Sequence, residues 1–187
     1  MDLINNLNKA WVLKGSSHID LLNNLNKMHT ELAYRNNASS QFIQAMAQIG
    51  KPLNDAVASG LLTLNGTHAP IHDTCIMYNR WEDLNTFSNT YSKIPGYGSA
   101  WYKAEPDPVI QQFFNTLDVD VIECIDRLTL VVQDETKKQI YPNAALATAV
   151  AANIMHLSPL TAMSLVIEGR LNAWVMIYLD AYRPKGF

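Results

Sequence analysis

Apolar residues recur every three or four positions along most of the chain, which is the spacing of amphipathic helices. Leu3, Leu7 and Trp11 form one such stripe. A longer stripe follows after Gly15, and its members are Ile19, Leu22, Leu25, Met28 and Leu32. Because no stretch alternates strongly between apolar and polar residues, as a half-buried strand would, we predict an all-α fold.

Glycines, prolines and asparagines divide the pattern into separate helices. The two N-terminal stripes read as similar helices joined at Gly15-Ser16-Ser17. The later helices are predicted at 38–50, from Pro52 to about 64, at 71–84, at 109–114, at 119–132, and from Ser158-Pro159 to about Tyr182. The long uncharged stretch 140–167 contains Pro142 and Pro159, so it should form two shorter buried helices rather than one membrane span.

The composition is that of a globular protein: 48% of the residues are hydrophobic and 17% are charged. The formal net charge of -3, without any basic run, gives no reason to expect nucleic acid. No segment has the pattern of a secretory signal. Cys75 and Cys124 have no partners at metal-ligand spacing, so a reducing, cytoplasmic compartment is expected, with no membrane association.

The stretch IPGYGSAWYKAEPDP at 94–108 holds three prolines and two glycines, and it is predicted to be a loop. Loops of this length inside compact proteins are usually functional. Two other breaks carry unusual residues, NGTH at 65–68 and YPNAA at 141–145. The last helix adds Arg170 on a largely apolar surface, where a charge needs an anion, a salt bridge or an edge position.

In order and spacing, five segments resemble the citrate synthase superfamily, across roughly residues 29–183. They are NASSQF at 37–42, GLLTLNGTH at 60–68, the loop 94–103 with Asp107-Pro108, YPNAA at 141–145, and IEGR at 167–170 with Ala173-Trp174. The resemblance implies a citrate synthase-like fold reduced in size and a homodimer. It also implies a single unit in which 1–93 and 140–187 form the helical core and 94–139 a small lid-like part.

By resemblance, the chain is related to enzymes that join an acyl-CoA to a keto acid or run the reverse cleavage. His68 matches the histidine that stabilises the enol, and Arg170 matches an arginine that binds a substrate carboxylate. Two expected catalytic residues are replaced: Ser99 stands where the second histidine belongs, and Ala145 where the carboxylate base belongs. Lys103 replaces the loop arginine, which keeps the charge and loses the bidentate fork. The shared site predicts that His68, Arg170 and the loop face one cavity.

The same resemblance places a coenzyme A thioester, as a substrate, against the loop. Its candidate contacts are the loop backbone, aromatic rings for the adenine and lysines for the phosphates: Gly96, Tyr97, Gly98, Trp101, Tyr102, Lys103 and Lys138. An alternative remains equally open, in which the aromatic residues anchor the core and the lysines are solvated on the surface. His68 and His72 are spaced for a metal, but no carboxylate or cysteine completes a set, so no metal is predicted.

Two classes of function stay open. The first is an acyltransferase of the citrate synthase or citryl-CoA lyase type with altered or weak activity, acting on an acyl-CoA or a small carboxylate. The second is a non-catalytic pseudoenzyme that keeps the fold as a binding or assembly module. His68 and Arg170 favour the first class, whereas Ser99 and Ala145 favour the second.

Overall fold

The computed structural model describes residues 16–35, 37–64, 70–80 and 93–183, and this part of the chain is helical without a named strand. The prediction of an all-α fold is therefore confirmed. The helices are α1 Ser16–Ala33, α2 Ala38–Gln48, α3 Leu53–Leu62, α4 Ile71–Asn79, α5 Pro108–Phe114, α6 Val119–Thr136, α7 Ala144–Ile154 and α8 Pro159–Ala181.

Most helix boundaries follow from local chemistry. Asn37 caps α2 by accepting a hydrogen bond from the Ser40 backbone N–H, and Asp107 caps α5 in the same way, with Pro108 in the first turn. The start of α2 lies where the sequence predicts it, and α5 begins at Pro108, one residue before the predicted start. The predicted stripe at 3–11 and the segment NGTH fall outside the described residues. The predicted helix at 71–84 ends at Asn79, with Arg80 as its C-cap, and residues 81–84 lie outside the described residues.

The chain divides into two compact units, and α1 and α8 each contribute residues to both. The first unit comprises residues 1–25 and 70–165. Its centre is α7, in which every residue from Ala145 to Ala152 is buried, and α4 and α5 pack against this helix. Small side chains on all sides of α7 allow close packing, as expected for a helix without a solvent-facing stripe. The predicted lid 94–139 falls inside this unit, and its lid-like role stays a prediction.

The second unit comprises residues 26–69 and 166–187. Helices α2 and α3 pack against each other in this unit. A Cβ on Gly60 would lie 2.7 Å from the Ile43 side chain, so glycine is what allows the two helices to approach. The core of this unit is a cluster of seven buried residues: Ala33, Ile43, Ala47, Ala56, Ala173, Trp174 and Tyr178. The Tyr178 hydroxyl donates to the Lys51 carbonyl at 2.8 Å.

Among the helices that the structure describes, α8 is the one that is long and apolar enough to cross a membrane. Core helices of soluble proteins pass the same test, and α8 carries Glu168 and Arg170 in its middle. The stretch 140–167 contains α7 and the beginning of α8, separated at residues 155–158. The prediction that this stretch is not one continuous span is therefore confirmed.

Candidate functional site

Arg170 lies in the middle of α8, within the second unit. The residue as a whole is half-buried, but its Nε atom is shielded from solvent. Among the described residues, no carboxylate lies within 4.0 Å of the guanidinium. Burial lowers the pKa of Arg170 from 12.5 to about 10. The side chain is therefore still charged at neutral pH, in surroundings that solvate the charge poorly.

Ser39 is the described residue that hydrogen-bonds the guanidinium. Arg170 Nη1 donates to Ser39 Oγ at 3.4 Å, which is long for such a bond. Ser39 is buried, and its own hydroxyl proton is donated to Asn37 Oδ1 at 2.7 Å. The capping residue of α2 and the arginine of α8 are thus connected through one serine hydroxyl. Ser39 Oγ has no second proton to donate to another acceptor, because a hydroxyl carries one proton.

The backbone before Arg170 is held by a close helix crossing. A Cβ on Gly169 would lie 2.7 Å from the His29 Cβ and 3.2 Å from the Asn26 Cα, so α1 and α8 are nearly in backbone contact there. Thr30 Oγ1 donates to the Gly169 carbonyl at 2.8 Å. The position of the Arg170 Cα is therefore determined by packing as well as by the helix itself.

His29 lies beside this crossing and is 1% exposed. Desolvation by burial, and secondarily the charge of Arg170, hold the pKa of His29 well below 6.5. The imidazole is consequently neutral at physiological pH, and it adds a polar group without a second positive charge. Its burial against α8 depends on tertiary packing that the sequence does not show.

In the first unit, the loop 93–107 is pinned against α4 and α7. Gly96 and Gly98 have φ angles of +83° and +85°, which glycine adopts without strain. A Cβ on Gly96 would lie 2.6 Å from Thr74 Cγ2 and 3.2 Å from Leu146 Cβ, whereas a Cβ on Gly98 would meet nothing within 4 Å. Gly96 is therefore required by packing, and Gly98 borders open space.

Asn143, which caps α7, also holds the loop. Its backbone N–H donates to the Gly96 carbonyl at 2.9 Å, and its side-chain amide donates to the Gly98 carbonyl at 3.0 Å. Its Oδ1 accepts from the Ala145 N–H at 2.9 Å. The segments PGYG and YPN, separated in sequence by more than forty residues, are thus joined by Asn143, and also by the Gly98 N–H, which donates to the Tyr141 carbonyl at 2.9 Å. The sequence motifs include both segments, but they do not predict that Asn143 connects them.

One of the proposed coenzyme A contacts, Tyr97, lies in the interior of the first unit. Tyr97 is 7% exposed, and its hydroxyl is hydrogen-bonded to Thr129 Oγ1 at 3.2 Å. Burial raises the pKa of Tyr97. The buried ring anchors the loop in the first unit, and Gly96 is buried as well. The roles of Tyr97 and Gly96 as coenzyme A contacts stay predictions.

The other loop residues remain accessible to different degrees. Trp101 is 57% exposed, Tyr102 is half-buried, and Lys103 is exposed, as is Lys138 beyond the end of α6. Ser99 is half-buried, and its Oγ accepts from the backbone N–H groups of Trp101 and Tyr102, both at 3.1 Å. The serine oxygen is therefore occupied in shaping the loop, while its proton remains available to donate.

Ala145 lies in the first turn of α7 and is 5% exposed. The position that resembles the carboxylate base is therefore filled by a buried methyl group. His68, the proposed enol-stabilising histidine, lies outside the described residues. The prediction that it shares a cavity with Arg170 and the loop stays a prediction.

No protein-family model matches the chain, and no curated protein matches it in sequence. Solved structures do match. The structure of citryl-CoA lyase from Hydrogenobacter thermophilus aligns with a TM-score of 0.77 at 17% identity, over 92% of this chain and 72% of the lyase. Citrate synthase from Thermotoga maritima MSB8 aligns with a TM-score of 0.72 at 20% identity, over 93% of this chain and 53% of the synthase.

ATP citrate lyase from Methanosaeta concilii, a D541A mutant in complex with (3S)-citryl-CoA, aligns with a TM-score of 0.70 at 15% identity. That match covers 88% of this chain and 32% of the lyase. The chain therefore spans about half of the synthase and a third of the ATP citrate lyase. At these identities the likeness shows the fold: the chain has the all-α fold of citrate synthase and citryl-CoA lyase, as the sequence motifs predict.

Proposed function

We propose that this protein is a citrate synthase-like protein that binds a small carboxylate or an acyl-CoA through Arg170, with altered or weak condensing or cleaving activity. The similar structures include ATP citrate lyases in complex with (3S)-citryl-CoA, and with citrate and coenzyme A. Their ligands carry carboxylate groups, for which an arginine is the preferred partner.

The observation that carries this proposal is the buried, incompletely satisfied guanidinium of Arg170. Its Nε has no hydrogen-bond partner among the described residues, and no described carboxylate neutralises the charge. An uncompensated buried charge is strongly unfavourable, so such groups usually pair with an anion. A bound carboxylate would supply both the missing charge and the missing acceptor.

In the first unit, accessible loop residues support a coenzyme A thioester as a ligand. Trp101 offers an exposed ring for stacking on an adenine, and Lys103 and Lys138 offer exposed cations for phosphates. Tyr102 is half-buried and contributes less ring surface. We propose a reducing, cytoplasmic location, in keeping with the two free cysteines, and no requirement for a metal.

The proposed activity is altered because of Ala145 and Ser99. Alanine cannot accept the proton that an acyl-CoA methyl group loses, and removing a general base costs roughly 10²–10⁴-fold in rate. Ser99 can donate a hydrogen bond to a carbonyl but cannot carry the charge of an imidazolium. His68 retains its proposed role at an enolate, and Asp73 on α4, which contacts His72 at 3.3 Å, is the spare carboxylate proposed for proton transfer.

The second candidate function is a non-catalytic binding or assembly module, and exposed apolar side chains favour it. In the second unit these residues are Tyr34, Phe42, Ile49, Leu53, Leu62, Leu171, Met176, Leu179 and Tyr182. Exposed apolar area of this kind commonly marks a protein–protein interface. We propose that a second copy of the chain covers part of it, which gives a homodimer.

Calorimetry with citrate, oxaloacetate, acetyl-CoA and coenzyme A tests the carboxylate site. Arg170→Ala should abolish binding of the carboxylates and leave the melting temperature nearly unchanged. Arg127→Ala is the matched control, because Arg127 is exposed on α6 and donates to the Glu123 carbonyl. A lowered melting temperature with unchanged citrate binding would show that Arg170 is structural and would overturn the proposal.

A further inference from the structure

The guanidinium of Arg170 has two distinguishable edges, and they are in different environments. By its covalent geometry, Nε–H and one Nη2–H point the same way and form one edge, while Nη1 lies on the opposite side of the group. Nη1 donates to Ser39 Oγ at 3.4 Å. Nε is buried and has no partner among the described residues. The two sides of the guanidinium are therefore not equivalent toward a ligand.

Ser39 can act toward Arg170 only as an acceptor. Its single hydroxyl proton is donated to Asn37 Oδ1 at 2.7 Å, so a lone pair is directed at Nη1. Asn37 in turn is held by its own contacts: its Oδ1 accepts from the Ser40 N–H, and its Nδ2 donates to the carbonyls of Leu32 and Arg35. The acceptor that faces Arg170 is thus oriented by the cap of α2.

The other end of the arginine is also constrained. The Gly169 carbonyl accepts from Thr30, and the Gly169 Cα lies against α1 at the crossing, where a Cβ would not fit. Because the guanidinium is planar, the direction of its Nε–Nη2 edge is set by the side-chain torsions up to the Cδ–Nε bond, and a hydrogen bond at Nη1 restricts these torsions. The same bond opposes rotation about Nε–Cζ, which would exchange Nη1 and Nη2.

We propose that Ser39 is a positioning residue that turns the Nε–Nη2 edge of Arg170 toward a carboxylate ligand, which this edge binds side-on through two parallel N–H···O bonds. This inference rests on the proposed function, since it assumes that Arg170 meets a carboxylate. Beyond that function, the edge of Arg170 that binds the ligand is specified, and Ser39 is the residue that orients this edge. The site should therefore prefer a ligand with a planar group of two oxygens. Such bidentate pairs are the stronger and more selective form of arginine–carboxylate contact.

Nuclear magnetic resonance of ¹⁵N-arginine-labelled protein tests the inference directly. The chain has five arginines, Arg35, Arg80, Arg127, Arg170 and Arg183, so the Nε–H spectrum is simple. Arg170→Lys identifies the resonance by its loss. Citrate, used as the probe, should shift the Arg170 Nε–H resonance saturably. Without ligand, rotation about Nε–Cζ of Arg170 should be slower in the wild type than in Ser39→Ala.

Ser39→Ala should weaken citrate binding roughly tenfold, the equivalent of one lost charge-assisted hydrogen bond. Ser39→Thr should restore it, because threonine keeps the hydroxyl. Ser40→Ala is the matched control: Ser40 is a buried neighbour in the same helical turn, but its hydroxyl donates to the Ala33 carbonyl and not to Arg170. This variant should bind citrate like the wild type.

If Ser39→Ala binds citrate as tightly as the wild type, and its Arg170 rotates at the wild-type rate, the role of Ser39 is overturned. The carboxylate site would remain intact in that case. Citrate binding without a shift of the Arg170 Nε–H resonance would overturn the assignment of the edge. Undiminished binding by Arg170→Ala, or no binding of citrate to the wild type, would instead count against the proposed function. In that case the rotation measurement without ligand still decides whether Ser39 holds the guanidinium.

Discussion

The side-chain amide of Asn143 donates a hydrogen bond to the carbonyl of Gly98 at 3.0 Å, and so holds a glycine-rich loop against the start of the α7 helix. The same residue caps α7 through its Oδ1 and donates its backbone N–H to Gly96. Three groups of one residue therefore stabilise two segments that lie far apart in the sequence.

Asn143→Ala should lower the free energy of unfolding by about 1–3 kcal/mol, because it removes a helix cap and a partly buried hydrogen bond. Urea denaturation monitored by circular dichroism measures the change. Asn153→Ala is the control on the same helix, since its side chain donates to Asn79 at an exposed position. Equal losses for the two variants would contradict the role assigned to Asn143.

Gly96→Ala and Gly98→Ala separate backbone strain from packing. Both residues have positive φ, so each alanine should cost about 1–2 kcal/mol. Gly96→Ala should cost about 1–3 kcal/mol more, because its Cβ would collide with Thr74, whereas Gly98 faces open space. Urea denaturation of both variants checks the order. Equal destabilisation would show that Thr74 and Leu146 shift without cost.

Stability should fall as the pH drops below about 6.5, in part because of His29. Its pKa in the folded state is well below 6.5, first because of burial and then because of Arg170. The unfolded chain therefore binds more protons in this range, so its free energy falls relative to that of the folded state. The contribution is fully present above pH 6.5 and is lost as the pH falls toward the folded pKa.

Thermal unfolding of the wild type and of His29→Gln between pH 7.5 and 5 measures this contribution. Glutamine does not titrate, so the variant should show a shallower decline of the melting temperature with acidification. Its absolute stability is expected to be lower, because a fully buried ring is replaced. Identical pH slopes in the two proteins would show that His29 is not responsible.

Purified protein should show little or no citrate synthase activity, because Ala145 cannot accept a proton and Ser99 cannot replace an imidazolium. Release of free thiol from acetyl-CoA plus oxaloacetate measures it. Turnover at rates typical of enzymes, about 1–10³ per second, would mean that the residue correspondences are mistaken. Ala145→Asp combined with Ser99→His is the variant expected to gain activity, since it restores both groups.

Light scattering at micromolar concentration should give the mass of a homodimer. The physical reason is the exposed apolar surface of the second unit, which includes Phe42 and Leu62. Phe42→Glu should weaken association, while Val119→Glu, at an exposed apolar site on α6 in the first unit, is the control. A monomeric mass for the wild type would contradict the dimer.

The sequence by itself determined the helical class, the helix boundaries at Asn37, Asp107 and Pro159, and the loop at 94–108. These features arise from local interactions: apolar spacing, capping side chains and the restrictions of proline and glycine act within a few residues. The motifs were also sufficient to predict the citrate synthase-like fold, which the similar structures share.

Only the tertiary structure decided which residues surround each candidate group. It buried Tyr97 against Thr129, placed His29 beside Arg170, and connected Ser39 to a guanidinium 131 residues away. Whether an aromatic ring stacks on a ligand or fills a core depends on which helices close over it. A side chain's partners and its desolvation are properties of the packed chain, and residue spacing along the sequence does not contain them.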